Sequence, residues 1–216
     1  KSQFASTQEH RQRIVNLIKD YRTLLGQGVV ARFDPETYSD AVAFARIGEG
    51  SLGGKARGLA FMNSMILKHR LYDKHANVRI MIPRSVVIAT DYFDDFIRLN
   101  GLKYIISQEF SDEEILSEFV SSTVPAKLQQ ELKAYIQTVR TPLAVRSSSK
   151  LEDSHYQPFA GIYSTYMIPY VDNGDQMLRL LLKAVKSVYA SVYFATSRAY
   201  LSSSQNLISE EKMAVI

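Results

Sequence analysis

Apolar residues fall into short periodic blocks separated by glycine, proline and serine, and the blocks predict helices around a small sheet. Ile14, Ile18, Tyr21 and Leu25 recur at helical spacing and end near Gly26 and Gly28, which reads as an amphipathic helix with a glycine stop. Residues 29–47 are less regular and read as a compact extension; Ala41 to Ile47 makes a poor buried strand. Further on, Leu59, Met62 and Ile66, flanked by Phe61 and Met65, mark a helix running to about His69. RIMI at 79–82 and SVVIA at 85–89 are β-branched-rich runs broken by Pro83 and Arg84, hence two strand pieces with a bend. A short aromatic helix is predicted over Tyr92 to Leu99, stopped by Gly101. Ser111 and Glu114 form a capping-box signature for a helix to about Val120. Pro125 opens the next one, which carries Leu128, Leu132 and Ile136.

The pattern changes again at Leu143 to Val145, a brief apolar strand bounded by Pro142 and three serines. Arg146 is therefore expected at the strand's end, followed by a polar loop and a second strand over about Gly161 to Met167. Apolar residues at 178, 181, 185, 188 and 192 then mark one long helix or two short ones between Met177 and Tyr200. Helices in mixed order around few strands fit α+β better than a regular alternating parallel fold. No internal repeat or low-complexity tract interrupts the pattern.

Composition narrows the class. At 216 residues, 46% hydrophobic and 22% charged, the chain reads as an ordinary soluble globular protein of one large or two small domains. Cysteine is absent, which excludes disulfides and thiolate metal sites and fits a reducing, cytoplasmic setting. No apolar run approaches the ~20 residues that span a bilayer, and the N-terminus has no signal-peptide core, so no membrane partner is expected. The first residue is Lys1 rather than Met, which reads as a processed fragment. The net charge is +4, yet the cations are scattered among 22 acids, and no dense basic stripe or RNA-reading aromatic motif marks a nucleic-acid partner.

Two places carry candidate chemistry. In IGEGSLGGKARG, five of the ten glycines fall between Gly48 and Gly58, directly before a predicted helix. Gly48 to Gly53 satisfies GxGxxG, but the dinucleotide motif requires a buried strand before it and an acidic residue after the next strand, and Asp73 comes too early. The P-loop pattern is missed as well, because Glu49 stands at its first glycine and Ala56 follows Lys55. What remains is a set of unhindered amides at a helix N-terminus with a lysine one step inside, suited to anionic phosphate; the alternative is a tight packing turn with Lys55 in solvent. The second place is Arg146 with its serines. A guanidinium fork beside small residues and backbone donors suits phosphate oxygens, while a surface hairpin with Arg146 in a salt bridge is the alternative. The two clusters lie about ninety residues apart and are placed to converge on one polyphosphate.

Both clusters resemble the nucleotide-binding domain of the phosphoenolpyruvate synthase and pyruvate phosphate dikinase family, an ATP-grasp relative shared with rifampicin phosphotransferases and glucan water dikinases. Gly53-Gly54-Lys55-Ala56-Arg57-Gly58-Leu59 is similar to the family's GGKGANL loop, and IPRSVVIATDYFDDF to its proline-marked strand and aromatic helix. Val145 to Ser148, Glu152-Asp153 and Phe159 to Gly161 match its VRSS, ED and FAG elements, and SVYASVYFATSRAY its following helix.

The resemblance implies a fold and a division of the chain. Residues 46–216 are the front half of an ATP-grasp-like domain, a small mixed sheet with several helices, preceded by a helical extension over 1–45. It also implies that Lys55 and Arg146 contact ATP phosphates while Gly161 and Thr165 cover the nucleotide, with Gly53, Gly54, Ser147 and Ser148 as further phosphate-loop candidates. Glu152 and Asp153 orient Lys150 or Arg146, or only solvate the loop. His155 matches no catalytic histidine of the family, and Arg57 either touches phosphate or pairs with a carboxylate. Ile162 and Tyr163 replace the polar residues that phosphotransferase relatives carry after FAG.

The implied activity is ATP-dependent phosphoryl transfer to a carrier histidine and then to pyruvate in the whole protein. A regulatory ATP-sensing module, or a dikinase with an antibiotic or glucan acceptor, are the alternatives. The adenine pocket, the acidic Mg ligands, the carrier histidine and the pyruvate/phosphoenolpyruvate barrel are all expected beyond Ile216. No catalytic or metal-ligating residue is therefore assigned within the chain, and the fragment alone is expected to be inactive.

Overall fold

Side chains alternating between two buried faces build the sheet. The computed structural model describes residues 8–9, 11–17, 30–36, 38, 42–74, 77–149, 161–203 and 208–216. Among these, β1 (Ala31–Arg32), β2 (Phe44–Ile47), β3 (Ser85–Ile88), β4 (Leu143–Ser149), β5 (Thr165–Ile168) and β6 (Met213–Val215) form a mixed sheet in the order β1-β2-β3-β6-β4-β5. The first three strands run parallel, and β6 joins β3 to β4 by antiparallel pairing on both of its sides. β5 closes the far edge, antiparallel to β4.

The helices are α1 (Gly53–Lys68), α2 (Thr90–Leu99), α3 (Asp112–Ser121), α4 (Ala126–Thr138), α5 (Gly174–Ala190) and α6 (Ala195–Ser203). One face of the sheet, through Ala45, Ile47, Ile88, Val145, Met213 and Val215, joins the larger core with α2 to α5. Phe96 anchors that core with its ring centroid 5.7 Å from Phe119 and 5.5 Å from Tyr189. On the other face Phe44, Val87 and Ala214 pack with Ala56 of α1, joined by Leu52, Leu59 and Ile66. The fold is thus α+β with a small mixed sheet, as the pattern predicts.

Several boundaries differ from the sequence expectation. Phe44–Ile47 is a buried parallel strand after all; its four residues cover both faces, so they show no simple alternation of apolar and polar positions. With β1, it draws residues ahead of position 46 into the same sheet. Residues 79–82 form no strand, because Pro83 removes a ladder donor and Met81 points outward, 59% exposed. β4 runs on through the serines to Ser149, since pairing with β6 satisfies their backbone. The capping box forms in full: Ser111 N–H donates to Glu114 Oε2 at 2.8 Å and Glu114 N–H to Ser111 Oγ at 3.2 Å. The long C-terminal periodicity resolves into α5, a 3-10 turn over Ser191–Tyr193 and α6, with Phe194 extended at the break. Near the N-terminus, residues 8–9 and 11–17 are helical, and Ile18, Tyr21 and Leu25 lie outside the described residues.

Candidate functional site

The glycine-rich segment leaves β2 at Ile47 and enters α1 at Gly53, so it occupies the turn of a β2-α1-β3 unit with parallel strands. The buried strand that a GxGxxG turn requires is therefore present, contrary to the reading from sequence. Four of its amides, those of Glu49, Gly50, Ser51 and Gly53, are nevertheless engaged inside the protein. Glu49 N–H and Gly50 N–H donate to the two Asp91 carboxylate oxygens at 2.9 and 3.1 Å. Ser51 N–H donates to Thr90 Oγ1 at 3.0 Å, and Gly53 N–H to Ser51 Oγ at 3.3 Å. A dinucleotide pyrophosphate would have to displace the Asp91 carboxylate, which excludes that use of the loop.

The start of α1 is locked to β4. Gly53 has φ +71°, and a Cβ there would lie 1.6 Å from the Ser148 carbonyl oxygen, so only glycine lets the helix approach this closely. Ser148 completes the junction by donating to Leu52 O at 2.8 Å and accepting from Ala56 N–H at 3.0 Å. Its hydroxyl is fully buried and tied to the helix, as a strut between α1 and β4. Ser147 is equally buried, and its Oγ accepts from Lys55 Nζ at 3.2 Å. These contacts join Gly53, Lys55, Ser147 and Ser148, residues more than ninety positions apart.

Arg146 lies in mid-strand rather than at the end of β4. Its N–H donates to Ile216 O at 2.7 Å and its carbonyl accepts from Ile216 N–H at 2.9 Å. Thr165 stands opposite on β5, so the two exposed side chains share one face of the ladder. That is the face α1 covers elsewhere; around Ala144, Arg146, Thr165 and Met167 it is open. The Arg146 side chain makes no ion pair or hydrogen bond with the described residues. Lys55 and Arg146 both line a cleft of about 810 Å³ whose wall runs from α1 past Arg84, β3 and β4 to α4 and α5, with Met62, Met81 and Met167 among its apolar residues. This volume lies in the ~300–1,000 Å³ range of small-molecule sites.

The remaining candidates are more dispersed. Gly161 is exposed at φ +81°, and neither it nor Thr165 lines the cleft. Arg57 turns back along α1, its Nε donating to Gly53 O at 3.1 Å. Tyr163 is buried and donates from its hydroxyl to Glu211 Oε1 at 3.2 Å, as a core anchor. Glu152, Asp153, His155, Phe159 and Ala160 lie outside the described residues. Among the described residues no group of three or more His, Asp or Glu side chains could hold a metal. No described helix is long and apolar enough to cross a membrane.

Asp91 and Thr90 escaped the sequence reading. A visible signal existed: an Asx/Thr pair at the junction of a β-branched strand and an aromatic helix is a helix-start signature, and such oxygens seek amides. Nothing in the sequence says that those amides belong to a loop forty residues earlier.

The geometry defines an α+β domain in which a glycine-initiated helix and a strand arginine bring Lys55 and Arg146 to one apolar-walled cleft that Arg84 also lines. Residues 49–216 match the family model described as pyruvate phosphate dikinase, AMP/ATP-binding domain, and the chain belongs to that family. Membership makes it an AMP/ATP-binding domain of a phosphoenolpyruvate synthase/pyruvate phosphate dikinase-like protein, from a family of ATP-dependent dikinase-type enzymes. None of the curated proteins compared with the chain matches it.

Proposed function

We propose that this domain holds ATP with its phosphates in the cleft between α1 and the open face of β4 and β5, Lys55 and Arg146 being the phosphate ligands. The observation that carries the reading is that these two cations, distant in sequence, line one cleft. Lys55 supplies a point charge on a flexible stem, and Arg146 a planar fork that pairs bidentately with phosphate oxygens. Gly53 and Gly54 set the helix start, while Ser147 and Ser148 hold strand and helix together rather than reaching for phosphate. Gly161 and Thr165 border the nucleotide from the β5 side, Thr165 through its hydroxyl. In the whole protein the bound ATP serves an ATP-grasp-like, cytoplasmic phosphotransferase that passes a phosphoryl group to a carrier histidine and then to pyruvate, with Mg²⁺ entering alongside the nucleotide.

The test is calorimetric titration of ATP into wild type, Lys55→Ala, Arg146→Ala and Arg146→Lys. Each alanine variant is expected to lose ~1.5 to 3 kcal/mol, about 10- to 150-fold in Kd, as charge-assisted hydrogen bonds disappear. Arg146→Lys is expected to remain impaired, because an ammonium cannot reproduce the fork. Wild-type affinity in both alanine variants removes the site assignment.

A further inference from the structure

The glycine loop has the form of an anion nest, and a carboxylate from within the protein already occupies it. Asp91 accepts from two consecutive amides, one to each oxygen, at 2.9 Å from Glu49 and 3.1 Å from Gly50. Close approach is built into the backbone: a Cβ at Gly48 would lie 2.5 Å from Asp91 Oδ1. Thr90 adds a reciprocal pair, its Oγ1 accepting from Ser51 N–H and its N–H donating to Ser51 O, both at 3.0 Å. From the other side, the Glu49 carboxylate meets Arg46 at 2.7 Å and Arg32 at 3.4 Å. The loop is thus clamped between the start of α2 and the β1-β2 edge, four residues before Lys55.

We infer that Asp91 is a positioning residue for the cation cleft: it fixes the loop that sets where α1 begins, and so where Lys55 stands relative to Arg146. The inference rests on the proposed nucleotide site. A charged carboxylate bound by two amides is a strong local tie. The Glu49 and Gly50 amides, being engaged by Asp91, are not the groups that meet an incoming phosphate. Loss of the carboxylate frees two amide donors and loosens the helix start without removing any group proposed to touch ATP. Displacing a ligand-binding group by about an ångström is enough to cost orders of magnitude in function.

The experiment measures ATP affinity of the full chain for wild type, Asp91→Asn, Asp91→Ala, Lys55→Ala and the Asp91→Ala/Lys55→Ala double variant. Amide hydrogen exchange at Glu49, Gly50 and Val145 is read in parallel. Asp91→Ala is expected to weaken ATP binding roughly tenfold or more, and the near-isosteric Asp91→Asn, which keeps one acceptor, by less. Lys55→Ala is expected to cost less in the Asp91→Ala background than in wild type, because the two act through one geometry. Exchange at Glu49 and Gly50 should speed up while Val145 stays protected. A merely structural Asp91 would lower stability and leave the two effects on affinity additive, which overturns the inference. Wild-type affinity in folded Asp91→Asn and Asp91→Ala overturns it as well. Should Asp91→Ala fail to fold, Asp91→Asn decides the matter through its affinity and its Glu49 and Gly50 exchange. A wild-type chain that binds no ATP overturns the nucleotide reading, and the inference falls with it.

Discussion

Replacing Gly53 by alanine should be far more damaging than a single methyl group suggests. The added Cβ would sit 1.6 Å from the Ser148 carbonyl oxygen and 2.3 Å from its carbon, both backbone atoms of a strand paired to β6 through Ser148 and Ala214. No rotamer change relieves such a contact, so the first turn of α1 must retreat by well over an ångström. That retreat stretches the Ser148 hydroxyl away from Leu52 O, at 2.8 Å, and from Ala56 N–H, at 3.0 Å. Two buried hydrogen bonds carry about 0.5–1.5 kcal/mol each, and a left-handed φ on alanine adds about 1–2 kcal/mol. The expected loss is therefore about 2–5 kcal/mol, a large part of the ~5–15 kcal/mol that holds a typical domain together.

The assay is urea unfolding followed by far-ultraviolet circular dichroism, with midpoints compared at constant slope. Gly58→Ala is the internal control: it lies in the same helix, and a Cβ there meets nothing within 4 Å. That variant should gain about 0.5–1 kcal/mol from helix propensity alone. If Gly53→Ala unfolds within about 0.5 kcal/mol of wild type, the close approach of α1 to β4 does not hold the site together, and the account of Gly53 is wrong.

Two further outcomes follow from groups away from the cleft. Tyr189 is fully buried with a hydroxyl that has no hydrogen-bond partner among the described residues, and burial pushes its phenol well above the ordinary value. Tyr189→Phe should leave stability unchanged or raise it by up to about 1 kcal/mol in thermal melts, since an unpaired buried hydroxyl contributes nothing to offset its desolvation; a loss of more than about 1 kcal/mol would reveal a partner. The Ser111 amide, followed by its hydroxyl, holds the Glu114 carboxyl below its ordinary 4.5. A carboxyl lowered on folding stabilises the protein above its unfolded value, and the contribution fades as pH falls through the folded one. The stability gap between wild type and Glu114→Gln should therefore be full near neutrality and close in acid; a gap that is constant or widens toward low pH would contradict the capping box.

How much of this could be read from the chain depends on whether the signal was local. Ser111 with Glu114, and Pro125 ahead of Leu128, state helix starts within four residues, and both helices form there. The glycine-lysine loop and Arg146 were legible as cation-bearing elements because residue type alone announces that chemistry. Tertiary pairing was not legible. Ser147 to Ser149 look like a polar loop, yet β6, more than sixty residues later, turns them into buried strand. Phe44 to Ile47 lacks alternation because parallel β3 and helices on both faces bury it all round. Asp91 lay hidden for the same reason: its amide partners are set by the β2-β3 register, which carries Ala89 N–H to Ile47 O at 2.9 Å and so brings the start of α2 beside the loop.

Strand β4 is where these demands are reconciled. Val145 goes to the core, while Arg146 and Ser148 face α1, and the strand changes its main partner from β5 to β6 around Arg146. A slip of one residue would send every side chain to the opposite face. Arg146 would then enter the large core without an anion, at a cost of several kcal/mol, and Val145 would meet the open cleft. The Ser148 hydroxyl would also abandon Leu52 and Ala56, undoing the seat of α1. The arginine proposed to meet a ligand thus works against misregister before any ligand arrives. Replacing it by an apolar residue should accordingly loosen the strand pairing as well as weaken ATP binding, whereas Arg146→Lys, still barred from the core by its charge, should keep the register and lose only affinity.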